Sequence, residues 1–166
     1  VITCSTDSVE QTRALGGAVA SLTEPGDVIV LVGDLGAGKT AFVQGFAAAS
    51  GVVASVTSPT FTLANRYEGQ IHDGQIVVNH LDVYRFESLD EAEDLALPEL
   101  LEQGATLIEW GDMIGSVLPA DRLTVTINFG ASDNERSFEL RGDGELWLNR
   151  VDDLAAVVKP WAASDC

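Results

Sequence analysis

Lysine is almost missing from this chain. Of 166 residues only Lys39 and Lys159 are lysines, and 9 basic side chains face 26 aspartates and glutamates, for a net charge of −17. Such a surface repels nucleic-acid phosphate and anionic lipid, so the isolated chain is not expected to bind RNA, DNA or membrane. The acidity suits either solubility or docking on a basic partner. Cysteine is equally scarce. Cys4 and Cys166 stand at opposite ends of the sequence with no metal-ligand spacing, which excludes a disulfide framework and fits reduced cytosolic thiols. No apolar run approaches the ~20 residues of a membrane span, and no leader segment is expected at the N-terminus. Repeats and low-complexity linkers are absent. What remains, with 46% hydrophobic residues, is enough for one buried α/β core spanning 1–166, expected to be soluble and cytoplasmic.

One of the two lysines lies in the most informative stretch. Gly33-Asp34-Leu35-Gly36-Ala37-Gly38-Lys39-Thr40 matches G-x-x-x-x-G-K-[ST] at every fixed position. The apolar run Val28-Ile29-Val30-Leu31-Val32 before it reads as a buried parallel strand, and Thr40 to Ala49 after it reads as a helix. In that setting the glycines let backbone N–H groups converge on phosphate oxygens, where the helix N-terminus adds partial positive charge. Gly33 to Ala41 is therefore the expected cradle of a nucleoside triphosphate. Lys39 would reach the β- and γ-phosphates and the Thr40 hydroxyl would bind Mg²⁺.

Around this unit the pattern predicts one three-layer α/β domain with a mixed, mostly parallel sheet and antiparallel hairpins. Asp7 or Ser8 caps a first helix, with Asp7 and Glu10 as capping pair and Val9, Leu15, Ala18, Val19 and Leu22 as its apolar stripe. Glu24-Pro25-Gly26-Asp27 has the residues of a type II turn. Thr57 to Arg66 and Ile76 to Phe86 read as strands joined at a turn signalled by Asp73-Gly74. Ser88-Leu89-Asp90-Glu91 opens an acidic helix, Pro98 starts another that Gly104 closes, and Ala105 to Trp110 is a short buried strand. Leu123 to Phe129 and Arg136 to Leu140 form an antiparallel pair, and Val151 to Val158 a terminal helix.

Phosphate loops of this kind need a carboxylate at the end of a neighbouring strand. Asp82, closing Ile76 to Asp82, and Glu109, closing Leu107-Ile108-Glu109, both qualify, and open α/β sheets bind ligands at that edge. Strand alternation puts His80 on the face of Asp82, beside the metal site or beneath it. Ser58-Pro59-Thr60 offers a hydroxyl to the γ-phosphate or metal, or is merely a strand entrance. Arg85 is either a charge-neutralising group or a surface ion-pair partner, Trp110 reads as a packing aromatic, and His72 as a solvated turn residue.

The phosphate loop, Ser58-Pro59-Thr60-Phe61-Thr62-Leu63, His80-Leu81-Asp82-Val83-Tyr84-Arg85 and Ile108-Glu109-Trp110 together resemble, in order and spacing, the bacterial TsaE (YjeE) family. Thr12 with Leu15-Gly16, Glu93-Asp94-Leu95 and the late strand pair add to the likeness. The resemblance implies an Mg²⁺-dependent ATPase that serves threonylcarbamoylation of adenosine 37 in tRNA, working with TsaB and with the transferase TsaD. It implies phosphate and metal roles for Lys39 and Thr40, a Walker-B-like role for Asp82, a second metal-site or water-positioning role for Glu109, and a switch role for Thr60. Trp110 matches a functional tryptophan whose role is left unassigned.

The expected chemistry is attack of water on the γ-phosphate, with Lys39, Asp82 and Glu109 as the catalytic group, ATP and ADP as ligands, and Thr40, Asp82 and Glu109 around Mg²⁺. No arginine finger stands out, so turnover is expected to be slow and partner-activated. Two other readings fit the loop. One is a small metabolite kinase, though the seven arginines form no arginine-rich lid; the other is a nucleotide-gated adaptor that does not hydrolyse ATP.

Overall fold

A computed structural model describes residues 1–59, 64–71, 73–86, 88, 90–91 and 97–163. Its centre is a seven-stranded sheet. The strands are β1 (Ile2–Thr6), β2 (Val28–Val32), β3 (Ala64–Ile71), β4 (Gly74–Asp82), β5 (Ala105–Glu109), β6 (Arg122–Phe129) and β7 (Arg136–Asp143), in the order β1-β7-β6-β2-β5-β4-β3. The neighbours β6, β2, β5 and β4 are parallel, whereas β3 and the β7–β1 edge pair antiparallel. The sheet is thus mixed, as expected, with a parallel centre and antiparallel pairs at both flanks.

The run Val28–Val32 is apolar throughout because β2 is covered on both faces. Ile29 and Leu31 join Val78 and Leu107 beneath helices α1 (Val9–Ala20) and α2 (Lys39–Ala49). Val28 and Val30 join Leu81 and Ile108 on the other face, covered by helix α3 (Leu97–Glu102) and a 3-10 segment, Gly111–Val117. Helix α4 (Gly144–Asn149) brings Trp147, and helix α5 (Val151–Val158) brings Leu154 and Val158, to the first of these cores.

Helices α1 and α2 cross at closest range where both lack side chains. A Cβ on Gly16 would run into the Phe42 carbonyl, and one on Gly45 into the Arg13 carbonyl. These obstacles are backbone, so no rotamer change relieves them and the helices must part. Gly45→Ala is therefore expected to cost about 3 kcal/mol, at the upper end for overpacking, measured by urea unfolding.

Several local expectations shift by a residue or two, each for a visible reason. The α1 cap is Ser8, whose Oγ accepts the Gln11 N–H at 3.3 Å, while the Gln11 side chain accepts the Asp7 N–H at 3.2 Å. Gln11 thus replaces Glu10 in the capping pair. Val9 is 45% exposed and leaves the buried stripe to Thr12, Leu15, Gly16 and Val19. The Pro25-Gly26 turn is as expected, with Gly26 at φ 97° and the Asp27 N–H on the Glu24 carbonyl. The β3–β4 register pairs Ile71 with Gly74, so the hairpin turn falls one residue earlier than Asp73-Gly74 indicates. Residues 57–59 are not strand, residues 60–63 lie outside the described residues, and β3 is Ala64–Ile71. β4 stops at Asp82, four residues before Phe86, because the Asp82 carboxylate accepts the Tyr84 N–H and turns the chain. Most of the helix expected after Ser88, together with Glu93-Asp94-Leu95, His72 and Cys166, lies outside the described residues. The Pro98 helix, the β6–β7 pair and the terminal helix form where expected, whereas β1, the 3-10 segment and α4 carry too few periodic residues to announce themselves.

Candidate functional site

Three adjacent parallel strands end at one edge, and that edge collects the chemistry. The loop after β2 climbs over it from Gly33 and returns as α2 at Lys39. Gly36 (φ 79°) and Gly38 (φ 113°) hold left-handed conformations that an L side chain strains to adopt, and Gly38 is the N-cap of α2. Beside the loop, the β4–β5 register sets Asp82 directly against Glu109, and the β2–β5 register sets Glu109 against Leu31. Alternation turns Leu107 and Glu109, with Val78, His80 and Asp82, toward the α2 face of the sheet. The two acids found by sequence reasoning therefore meet under the first turn of α2.

Lys39 is 4% exposed and donates to the carbonyls of Gly33 (2.6 Å) and Asp34 (2.9 Å), folding back across its own loop. Its ammonium stands 3.9 Å from the centroid of the Trp110 ring, which in turn packs against Tyr84 at 4.8 Å. Burial pushes the Lys39 amine below its ordinary pKa, and the negative charges of Glu109, Asp82, Asp34 and Asp112 work against that fall. Trp110 holds φ 62°, an unusual backbone for an aromatic residue, with its N–H on the Leu31 carbonyl. That kink ends β5 at Glu109 and swings the indole over the lysine.

Thr40 donates its hydroxyl proton to Glu109 Oε1 at 2.8 Å. His80 Nε2 lies 2.8 Å from the same oxygen. Asp82 is tied differently: Oδ2 accepts from Ser58 Oγ at 3.1 Å and Oδ1 from the Tyr84 N–H at 3.0 Å. Among the described residues no three Asp, Glu, His or Cys side chains form a group that could hold a metal ion. A hydroxyl and two carboxylates do fit Mg²⁺, which keeps several waters and takes its remaining ligands from phosphate. Thr40, whose O–H donates a hydrogen bond to Glu109, retains oxygen lone pairs for such a cation.

A cavity of about 390 Å³ opens over this cluster, lined by Leu35, Gly36, Gly38, Lys39, Thr40, Ala41, Ser58, Asp82, Tyr84, Arg85, Glu109 and Trp110. Other hollows, of about 340 Å³ beside Gly51 and Gln75 and about 530 Å³ beside Glu10 and Trp161, bring together no comparable set of groups among the described residues. Of the loop residues expected at the site, Leu35 is 82% exposed, while Ala37 is buried with its carbonyl accepting from Arg136 Nε at 3.0 Å. Thr60 lies outside the described residues.

Arg136 escaped the sequence reading. Its guanidinium also donates to the carbonyls of Asp133 (2.7 Å) and Glu135 (2.8 Å) and lies 4.6 Å from the Phe129 ring, so it bolts the loop to the β6–β7 turn. Nothing local marks it, because its partner Ala37 is 99 residues away. Beside it a second cavity of about 130 Å³, lined by Ser8, Val9, Thr12, Gly36, Ala37, Gly38, Ala41, Asn134 and Arg136, flanks the loop on the side away from the acids.

The fold and site thus define an α/β protein whose glycine-rich loop, single buried lysine and paired carboxylates converge at the ends of parallel strands. Residues 6–138 match the family model described as threonylcarbamoyl adenosine biosynthesis protein TsaE. The tRNA threonylcarbamoyladenosine biosynthesis protein TsaE of Bacillus subtilis (strain 168) is 42% identical over 147 residues, 88% of this chain and 89% of that protein. The TsaE proteins of Streptomyces coelicolor (40% identical, 81% of this chain, 93% of theirs) and Treponema pallidum (38%, 79% and 94%) are similar over nearly their whole length. Among solved structures, the crystal structure of YdiB from B. subtilis matches with a TM-score of 0.72 and 35% identity, covering 96% of this chain and 94% of that one. The chain belongs to the TsaE family.

Proposed function

We propose that the protein is a P-loop ATPase of tRNA threonylcarbamoyladenosine biosynthesis, acting in the cytoplasm with TsaB and TsaD. The observation that carries the ATPase reading is the convergence of Lys39, Thr40, Asp82 and Glu109 at one cavity of about 390 Å³ beneath the glycine-rich loop. The biosynthetic role rests on membership of the family.

The triphosphate would lie along the loop from Ala41 toward Glu109, displacing Lys39 from the Gly33 and Asp34 carbonyls it now occupies. Mg²⁺, held by Thr40 with Asp82 or Glu109, would supply charge neutralisation at the β- and γ-phosphates. Lys39 and the loop N–H groups would stabilise the charge that spreads over the transferred phosphoryl group, and Glu109 would orient the attacking water. The base would enter the smaller cavity beside Arg136 and Thr12. Arg85 is the described arginine that lines the cavity; the expected partner dependence rests on the family role, with TsaB and TsaD completing the site for turnover. No described helix is long and apolar enough to cross a membrane.

Product analysis tests this reading. Free phosphate, released faster when TsaB and TsaD are added, is expected; a phosphorylated small-molecule acceptor, or turnover indifferent to both partners, would refute it. The base cavity gives a separate measurement. Val9→Trp, which fills that cavity, is expected to weaken ATP binding at least about tenfold, or about 1.4 kcal/mol, while leaving inorganic tripolyphosphate unaffected in calorimetry. Binding of isolated tRNA at moderate salt is expected to be negligible, because the net charge is −17.

A further inference from the structure

His80 is fully buried, yet one of its ring nitrogens has no partner among the described residues. Nδ1 is enclosed without a hydrogen bond to any of them, while Nε2 lies 2.8 Å from Glu109 Oε1. An aliphatic side chain would fill this position beneath the sheet edge without leaving a buried polar atom unpaired, and native interiors rarely retain such atoms without a reason. What the imidazole adds, and a leucine cannot, is the Nε2 contact.

That contact acts on a side chain that needs restraint. An ionised carboxylate accepts only, so Nε2 carries the proton and donates it to Oε1. The terminal torsion of glutamate is broad and has no sharp preferred angle. Two donors on one oxygen, Thr40 Oγ1 from α2 and His80 Nε2 from β4, each at 2.8 Å, remove that freedom. They approach from different elements, so the carboxylate is clamped in direction as well as place. Both donors bond Oε1, so neither of these bonds occupies Oε2, and Glu109 lines the cavity.

We infer that His80 is a positioning residue for the hydrolytic step: it holds the Glu109 carboxylate so that Oε2 is presented to the nucleophilic water. This rests on the ATPase reading above and assigns His80 no contact with nucleotide. Its effect is confined to the alignment of Glu109, so it belongs to kcat rather than to binding. Residues that orient a functional ligand from behind typically change activity about 10- to 100-fold when lost.

The test compares the unaltered chain with His80→Leu and His80→Gln, the amide nitrogen of glutamine falling near the position of Nε2. His80→Leu is expected to keep its KM for ATP within about twofold and its melting temperature, and to lose kcat about 10- to 100-fold. His80→Gln is expected to recover most of that loss. In nucleotide-free protein, a slowly exchanging Nε2 proton is expected by imidazole NMR, assigned easily because the chain has two histidines, and lost in Glu109→Ala. The inference is overturned if kcat survives in His80→Leu, if KM moves in place of kcat, if glutamine and leucine lose activity equally, or if the NMR proton ignores Glu109. Lys39-dependent hydrolysis by the unaltered chain separates the two levels: its absence sinks the ATPase reading itself, whereas its presence with indifferent His80 variants sinks the positioning role alone.

Discussion

Lys39→Ala is expected to lower ATP hydrolysis by about a thousandfold or more, to background in a phosphate-release assay. The chain keeps one lysine at this site and a second, Lys159, after the terminal helix, so no neighbouring ammonium can substitute. In the structure the Lys39 ammonium is buried and satisfied only by backbone carbonyls and the Trp110 ring among the described residues. Four acids surround it without an ion pair, and burial still draws its pKa downward. On the proposed ATPase reading, a bound triphosphate would supply the direct ion pair that Lys39 lacks among the described residues. The same substitution should spare the fold, because it removes a desolvated cation and leaves the two carbonyls open to water. Unchanged melting together with lost hydrolysis is the expected pair of results, and retained hydrolysis would remove Lys39 from the mechanism.

Asp27→Ala is expected to cost about 3–5 kcal/mol of folding stability in urea unfolding. Asp27 stands just before β2 and is 6% exposed; it receives Arg150 through two bonds, from Nη1 to Oδ2 (2.8 Å) and from Nη2 to Oδ1 (2.7 Å). Oδ2 also accepts the Glu24 N–H, closing the Pro25-Gly26 turn. Arg150 in turn donates to the Leu22 carbonyl and lies 4.1 Å over the Trp147 ring. Alanine would leave a largely buried guanidinium without its anion and free the turn that leads into β2. The paired exchange Asp27→Leu with Arg150→Met should recover much of the loss, since replacing both members of a buried ion pair by apolar side chains is far less damaging than removing one. A single-variant loss below about 1 kcal/mol would mark the pair as equivalent to a surface salt bridge.

Much of this site is legible in the sequence. The glycine-rich loop, with an apolar run before it and a helix after, is a local pattern, and its conformation depends on residues within a dozen positions. Asp82 and Glu109 were recognisable because each closes a short apolar strand, and alternation alone set His80 on the Asp82 face. The turn at Pro25-Gly26 and the β6–β7 pair were legible for the same reason. Boundaries were less so. β4 ends early because a carboxylate bonds to a backbone N–H two residues on, and β5 ends early because Trp110 turns left-handed; neither event has a periodic signature.

The sequence by itself determined the presence of the glycine-rich loop, its two neighbouring strand-end acids and the acidity that disfavours nucleic acid, because each is a property of neighbouring residues or of composition. Only the tertiary structure decided that Thr40 and His80 grip the same oxygen of Glu109, that Arg136 anchors the loop from 99 residues away, and that Arg150 completes Asp27. Those contacts arise where parallel strands and their covering helices come into register. Register is fixed by how both faces of the sheet are buried, and no local stretch of chain contains that information.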